Sequence, residues 1–242
     1  MENSIYITLS RQGVLRRQMD ITANNIANMN TTGYKAQHPV FSEYLVHNRD
    51  DRGALGDTLA FVRDVATVRD TSEGPMQQTG NPLDVAIQGD GYFVVESPNG
   101  PLYTRNGRFR IDETGQLVTE HGHPVMADAG AVIVFDGSET DIGIGRDGTV
   151  STRFGDLGRL RIVRFDNPQE LQAVAGGLMT ADAVPEDMES PNIQQGMLEG
   201  SNVEGVVEMT RMIEVQRAYE RARKLIDSED ERIKKMIQEY AR

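Results

Sequence analysis

From position 212 onward, hydrophobic residues recur in alternating steps of three and four: Met212, Val215, Tyr219, Ala222, Ile226, Ile233, Met236 and Tyr240, with Glu229 the one charged member of the series. A seam kept for about four heptads predicts a long helix that packs on other helices in coiled-coil fashion. Ser201-Asn-Val-Glu204 fits a capping box, in which the serine hydroxyl and the glutamate carboxylate each meet an exposed first-turn amide. A helix from there to Tyr240 spans roughly 60 Å at 1.5 Å per residue, more than a small compact domain accommodates. A weaker stripe opens the chain, where Ile5, Leu15, Met19, Ile26 and Met29 share one register with Thr8, Gln12 and Thr22. It predicts a helix over 4–29, capped by Asn3 or Ser4 and ended by Asn30-Thr-Thr-Gly33, with Gly33 in a left-handed position just past it. A thin stripe buries little by itself, so each helix needs a partner surface.

Between 81 and 165 the pattern changes to short β-prone runs punctuated by glycine: Leu83-Asp-Val-Ala-Ile87, Tyr92-Phe-Val-Val95, Leu102-Tyr-Thr104, Arg108-Phe-Arg-Ile111, Gln116-Leu-Val-Thr119, Ala131-Val-Ile-Val-Phe135 and Thr149-Val-Ser151. The turn dipeptides Asn99-Gly100, Asn106-Gly107, Asp136-Gly137 and Asp147-Gly148 predict antiparallel hairpins whose glycines supply positive φ. Arg159, Arg161 and Arg164 interleave with apolar residues from Leu157 to Phe165, which predicts one strand with a wet face. Asp166-Asn-Pro168 predicts a single capped helical turn. Residues 37–80 and 175–200 lack sustained periodicity and read as extended connectors. The expected fold class is α+β, with long N- and C-terminal α-helices, coiled-coil-like, flanking a central antiparallel all-β domain. The expected boundaries are a discontinuous helical domain over 1–36 and 201–242, connectors over 37–80 and 181–200, and a β domain over 81–180, with a fragment of roughly 75–185 able to fold alone.

Charge sharpens this division. The 242 residues carry a net charge of −12, which disfavours nucleic acid and anionic membrane as partners, since both reward clustered Lys and Arg. Residues 1–38 carry Arg11, Arg16, Arg17 and Lys35 against Glu2 and Asp20, and residues 201–242 are balanced, so the acidity lies in the middle. The two ends can therefore crowd together while the middle stays wet. Cysteine is absent, which removes disulfides and thiol chemistry and leaves the redox compartment open. The first ten residues lack a basic region followed by an apolar run, and no segment approaches the length of a membrane span. The expectation is a cytosolic protein or one exported without a cleavable signal peptide, not inserted in a membrane.

Candidate chemistry is sparse. His121-Gly-His123 lacks a third ligand pattern and reads as a surface hairpin. The Asp141–Gly148 stretch resembles an acidic glycine-rich calcium repeat but occurs once. Gly89-Asp-Gly91 opens no helix and is followed by no Gly-Lys-Ser/Thr, and there is no Gly-x-Ser-x-Gly elbow. No catalytic residue, cofactor or metal site is expected. The polar run from Asn24 to Lys35 reads equally as an ordinary helix end or as amides that bond neighbouring chains.

Three blocks carry a family resemblance. Ile21-Thr-Ala-Asn-Asn-Ile-Ala-Asn-Met-Asn-Thr-Thr-Gly-Tyr-Lys35 resembles the N-terminal signature of flagellar axial proteins, the rod and hook subunits. Gly80–Phe93 and Tyr103-Thr-Arg-Asn-Gly-Arg-Phe109 are similar to the β-domain signature of that family, and Gly196–Val203 with Met209–Tyr219 to its C-terminal signature. The resemblance implies a non-enzymatic structural subunit of the flagellar basal-body rod. It implies terminal helices lining the inner wall of a tubular polymer, partners that are copies of itself and homologous rod subunits, and delivery unfolded through the flagellar type III export apparatus. It also turns the stripes and the asparagine run into a candidate subunit interface: Leu15, Met19, Asn24, Asn25, Ile26, Asn28, Thr32, Gly33, Tyr34, Met212, Val215, Tyr219, Ala222, Ile226, Ile233 and Met236. Residues 81–180 leave space for one outer domain, which argues against a hook subunit. The wording of Ser4–Gln12, Glu199-Gly-Ser-Asn202 and Thr210-Arg-Met-Ile-Glu214 is more similar to proximal than to distal rod subunits. The alternatives are a distal rod subunit or, in another class, a secreted metal-binding or enzymatic β protein with a coiled-coil oligomerisation tail.

Overall fold

The computed structural model describes residues 2–47, 58–128, 130–137 and 141–240. The chain divides into two compact units, one of Met1–Ala27, Gln37–Asp70 and Glu204–Arg242, the other of Asn28–Ala36 and Thr71–Val203.

The first unit contains helix α1 (Glu2–Ala27), strands β1 (Gln37–His47) and β2 (Thr58–Arg69), and helix α2 (Gly205–Tyr240). The helices run antiparallel: Asn25 reaches Glu208, while Leu15 packs with Val215 and Ala222. The buried members of α2, Glu208, Val215 and Ala222, repeat by sevens, because a heptad step returns a helical residue to nearly the same face; on α1 Thr8, Leu15 and Thr22 keep the same step, with Ile21 and Asn25 buried beside them. The side chain of Ile5, placed on the same stripe, lies outside the described residues. α2 is 36 residues long, about 54 Å. The expected capping box does not form. The hydroxyl of Ser201 instead accepts the Val203 amide at 3.2 Å, and α2 begins one turn later, where the Glu204 carbonyl accepts the Glu208 amide at 3.0 Å. α1 likewise ends before residue 29, since Asn28 starts a turn in which its carbonyl accepts the Thr31 amide at 3.0 Å.

Residues 37–80, expected as a connector, hold a long antiparallel hairpin instead. β1 and β2 pair from Gln37 opposite Arg69 to His47 opposite Thr58, with a register shift between Val40 and Phe41. Residues 48–57 of that stretch lie outside the described residues. The hairpin escapes a periodicity search because a bulge displaces the alternation by one position and Pro39 interrupts the β-prone run.

The second unit is built from short strands: β3 (Met76–Gln78), β4 (Val85–Gln88), β5 (Tyr92–Val95), β6 (Leu102–Thr104), β7 (Phe109–Ile111), β8 (Leu117–Thr119), β9 (Gly143–Ile144), β10 (Thr149–Thr152), β11 (Gly155–Arg159), β12 (Ile162–Arg164), β13 (Gln172–Ala173), β14 (Met179–Thr180), β15 (Glu186–Asp187), β16 (Asn192–Gln195) and β17 (Met197–Glu199). Its main sheet has the order β13-β14-β6-β5-β12-β15, and the described pairings are antiparallel. β5 explains the core. All four of its residues are buried, and successive side chains point to opposite faces. Phe93 and Val95 therefore enter one cluster with Ile87, Leu117, Ile133 and Ile193, while Tyr92 and Val94 enter another with Tyr103, Val163 and Met179. The first is keyed by an edge-on contact between Phe93 and Phe109 and the second by one between Tyr103 and Phe165, the geometry that aromatic quadrupoles favour.

Two expectations are corrected here. Residues 181–200 are not a connector, because β16 pairs with β4 and β17 with β3, and Ile193 and Leu198 are 1% and 3% exposed. The run from Leu157 to Phe165 is two strands in different sheets, β11 with β10 and β12 with β5, broken at fully buried Leu160. Asn167 does cap a single turn over Pro168–Glu170.

A fragment of residues 75–185 consequently lacks both returning strands, and it is expected to be molten, whereas 28–203 keeps the second unit entire and is expected to melt cooperatively; near-ultraviolet circular dichroism through a thermal ramp distinguishes the two. Glycine positions give a finer check. Gly148 has φ +93°, but Gly107 is outside the left-handed region and is required because a Cβ there would lie 1.7 Å from the Val85 carbonyl oxygen. Gly148→Ala is expected to cost about 1–2 kcal/mol, and Gly107→Ala about 3 kcal/mol because backbone must move, both measured by urea denaturation.

Candidate functional site

In the first unit, several of the residues expected at a subunit interface make contacts within the chain itself. Leu15, Val215 and Ala222 form one cluster with Met19, Ala218 and Tyr219 against it. Met212, Ile226, Ile233 and Met236 continue the same line of α2, half-buried. Asn24 is exposed and Ile26 half-buried. Asn25 is fully buried. Its carbonyl accepts the Gln37 amide at 3.0 Å, and its amide nitrogen donates to the Gln37 carbonyl at 2.9 Å and to Glu208 at 3.2 Å. The Asn25 carboxamide thus copies a strand's pairing pattern at the first residue of β1 and ties that end to α2. Arg211 in turn pairs with Glu208. These bonds described for Asn25 stay inside its own chain.

In the second unit, Asn28, Thr32, Gly33 and Tyr34 lead into a buried charged cluster. Gly33, at φ +69°, passes so close to Arg105 that a Cβ would lie 2.7 Å from the Arg105 carbonyl carbon, and its amide donates to the Glu199 carbonyl at 2.8 Å. Its left-handed backbone serves this close approach and not a helix end. At the centre sits the Glu199 carboxylate, 1% exposed. One oxygen accepts from the Lys35 ammonium at 2.6 Å and the Gly74 amide at 3.1 Å, the other from Arg105 Nε at 2.9 Å. Lys35 also donates to the Ser72 carbonyl at 2.7 Å. Arg105 donates through Nη1 to the carbonyls of Gly89 and Gly91 at 2.9 and 2.7 Å and lies over the Tyr92 ring. The Gly89-Asp-Gly91 loop therefore presents carbonyls to a cation, the reverse of a phosphate cradle. Asn202 closes the arrangement, accepting the Ala36 amide at 2.7 Å and donating to Ser72.

Two cations share one anion here. Burial raises the Glu199 carboxyl, but Arg105, Lys35 and the Gly74 amide together outweigh it and hold the group below its ordinary range. Burial, and less strongly the neighbouring Arg105, lowers Lys35 against the pull of Glu199. The arrangement locks five chain segments together. None of Lys35, Arg105 or Glu199 stood out as a site residue in the sequence, yet each lies inside one of the three recognised blocks. The signal was a lone charge in an otherwise uncharged turn, as in Gly33-Tyr-Lys35 and Leu198-Glu199-Gly200. His121 and His123 belong to a hairpin turn closed by the Thr119 amide on the His123 carbonyl at 2.8 Å, and among the described residues no cluster of three metal-binding side chains occurs.

Glu199→Gln leaves two buried cations without an anion and is expected to destabilise the chain by about 3–5 kcal/mol, with Lys35→Met in the same chain recovering part of the loss. The folded carboxyl titrates below the ordinary value of 4.5, so on acidification the unfolded chain takes up the proton first. The contribution is complete above about pH 4.5 and fades as pH falls through the lower folded value. Urea midpoints from pH 7 to 3 are expected to fall more steeply for the unsubstituted chain than for Glu199→Gln.

The comparisons with known proteins fall on these same segments. Residues 5–35 match the family model described as "Flagella basal body rod protein", residues 86–152 the "Flagellar hook protein FlgE/F/G D1 domain", and residues 194–239 the "Flagellar basal body rod FlgEFG protein C-terminal". The chain is 40% identical over 234 residues to the flagellar basal-body rod protein FlgF of Caulobacter vibrioides, covering 94% of each chain. It is 35% identical to FlgF of Mesorhizobium japonicum over 97% of this chain and 98% of the relative, and 32% identical to the rod protein FlgG of Bacillus subtilis over 98% of each. With three family models in order along it and relatives of this identity over nearly its whole length, the chain belongs to the flagellar basal-body rod proteins, structural and non-enzymatic components of the flagellum.

Proposed function

We propose that the chain is a subunit of the proximal rod, polymerising through α1 and α2 with copies of itself and with homologous rod subunits into the tubular shaft that transmits torque and encloses the export channel. It reaches the rod, in the periplasmic part of the basal body, unfolded through the flagellar type III export apparatus. The observation that carries the proximal assignment is the match to the Caulobacter FlgF, at 40% identity in an alignment of 234 positions. The FlgG of Bacillus subtilis reaches 32% and that of Agrobacterium fabrum 36%. The helix pair supports the polymer reading. Large apolar side chains remain in water on it, Leu9 at 56%, Ile213 at 51% and Ile237 at 63% exposure, an arrangement that marks surfaces awaiting a partner.

The test is rescue of motility in a strain lacking the gene, with the chain located in a map of isolated basal bodies. Full-length protein is expected to restore swimming and to occupy the segment nearest the rod base; density in the distal segment alone would contradict the proximal assignment. Ile226→Asp places a carboxylate on the apolar line of α2 and is expected to abolish swimming. Arg223→Asp, whose side chain is 71% exposed, is expected to leave swimming near normal.

A further inference from the structure

The helix pair carries two features that its own chain leaves unused. One is a groove between α1 and α2, floored by Ile7, Ala218, Ala222 and Leu225, with Arg11 and Arg221 also lining it. The alanines, one turn apart, keep it open, and Leu225 is 50% exposed. Neither arginine has a carboxylate within salt-bridge distance among the described residues. The other feature is the end of α2. Because the helices are antiparallel and Ile7 already lies beside Leu225, α1, which starts at Glu2, covers α2 only to about residue 230. Among the described residues, no helix lies opposite roughly the last three turns. They carry Ile233, Met236, Ile237 and Tyr240, the last 92% exposed, and they open with Glu229, the charge that interrupts the apolar line.

We propose that the end of α2 of a second copy lies in this groove, with its Ile233 and Met236 over Ala218 and Ala222 and its Glu229 facing Arg11 and Arg221. The inference rests on the reading of the chain as a polymer subunit and assigns which face meets which. The lengths agree, since Ala218 to Leu225 and Glu229 to Met236 each span about 10 Å of helix. The charges agree as well. The groove side carries Arg11 and Arg221, whereas Asp227, Glu229, Asp230 and Glu231 make the approaching turn acidic. Glu229 pairs within its own helix with Arg232 at 2.6 Å, a pair half open to solvent that a partner's guanidinium can replace at small cost. Two different surfaces of one chain are joined, so the contact is heterologous; repeated from copy to copy it extends as an open helical array wherever the rotation does not close. Glu229 then has a function, which is to fix the register of an otherwise slippery apolar line.

A charge exchange in the deletion strain tests it, reading the amount of full-length subunit in purified basal bodies. Arg221→Glu and Glu229→Arg are each expected to lower incorporation at least about tenfold, and the two together to restore most of it, because the pair is re-formed with reversed polarity. The cysteine-free chain permits a second readout, in which Ala218→Cys with Ile237→Cys gives ladders of cross-linked subunits in basal bodies and either change alone gives none. Normal incorporation of both single charge variants, or no rescue by the double variant, or no ladder, would overturn the groove contact while leaving the subunit assignment intact. Failure of the unsubstituted chain to enter basal bodies would instead remove the assignment itself.

Discussion

A carboxylate buried to 1% exposure dictates much of the β body, because such a group is tolerable only when it is paired and hydrogen-bonded on both oxygens. Glu199 obtains those bonds from Lys35, Gly74 and Arg105, residues far apart in sequence. Each partner brings its own constraint. Lys35 requires the Ser72 carbonyl, and Arg105 requires the carbonyls of Gly89 and Gly91. Gly74 has no room for a side chain, since a Cβ would lie 2.0 Å from the Gly200 oxygen. The chain enters this cluster directly after α1 and leaves it directly before α2, so the β body is complete only when segments from both sides of it in sequence are present.

The helical part follows a different logic. Its apolar cluster is thin, Leu15, Val215 and Ala222 with Met19, Ala218 and Tyr219 packed against them, and large apolar residues such as Leu9, Ile213 and Ile237 stay exposed. Such packing holds two helices together without exhausting their apolar surface. Asn25 adds a polar tie, because its carboxamide pairs with both backbone groups of Gln37 and so fixes where β1 begins. Under the proposed polymer reading this economy has a use, since the apolar residues left exposed on α2 are then available to a neighbouring subunit.

The sequence made the helices legible because a three-four seam has few other physical explanations, and the heptad positions occupied by Val215, Ala222 and Ile226 are the ones the structure buries or half-buries. Short strands with glycine turns were legible for the same reason. The hairpin of β1 and β2 was not, because a bulge at Val40 and Phe41 shifts the alternation that marks a strand. β16 and β17 were not, because strands that return from far along the chain are recognised by their partners, β4 and β3, which no local pattern reveals. The charged cluster was missed for a related reason: Lys35, Arg105 and Glu199 look like surface residues until long-range pairing brings them together. Asn25 stood out in the sequence as a candidate interface residue, and the hydrogen bonds described for it go to Gln37 and Glu208, a choice that composition does not encode.

The account stands or falls on whether Glu199 holds the β body together. Native-state hydrogen exchange on the full-length chain reads this directly at the Gly33 amide, bonded to the Glu199 carbonyl, and the Gly74 amide, bonded to its carboxylate. The account predicts that both exchange only by global opening, with the same free energy as the core amides of β5, and that Glu199→Gln lowers all of them together. Fast exchange at Gly33 and Gly74 beside a fully protected β5, unaltered by Glu199→Gln, would contradict it.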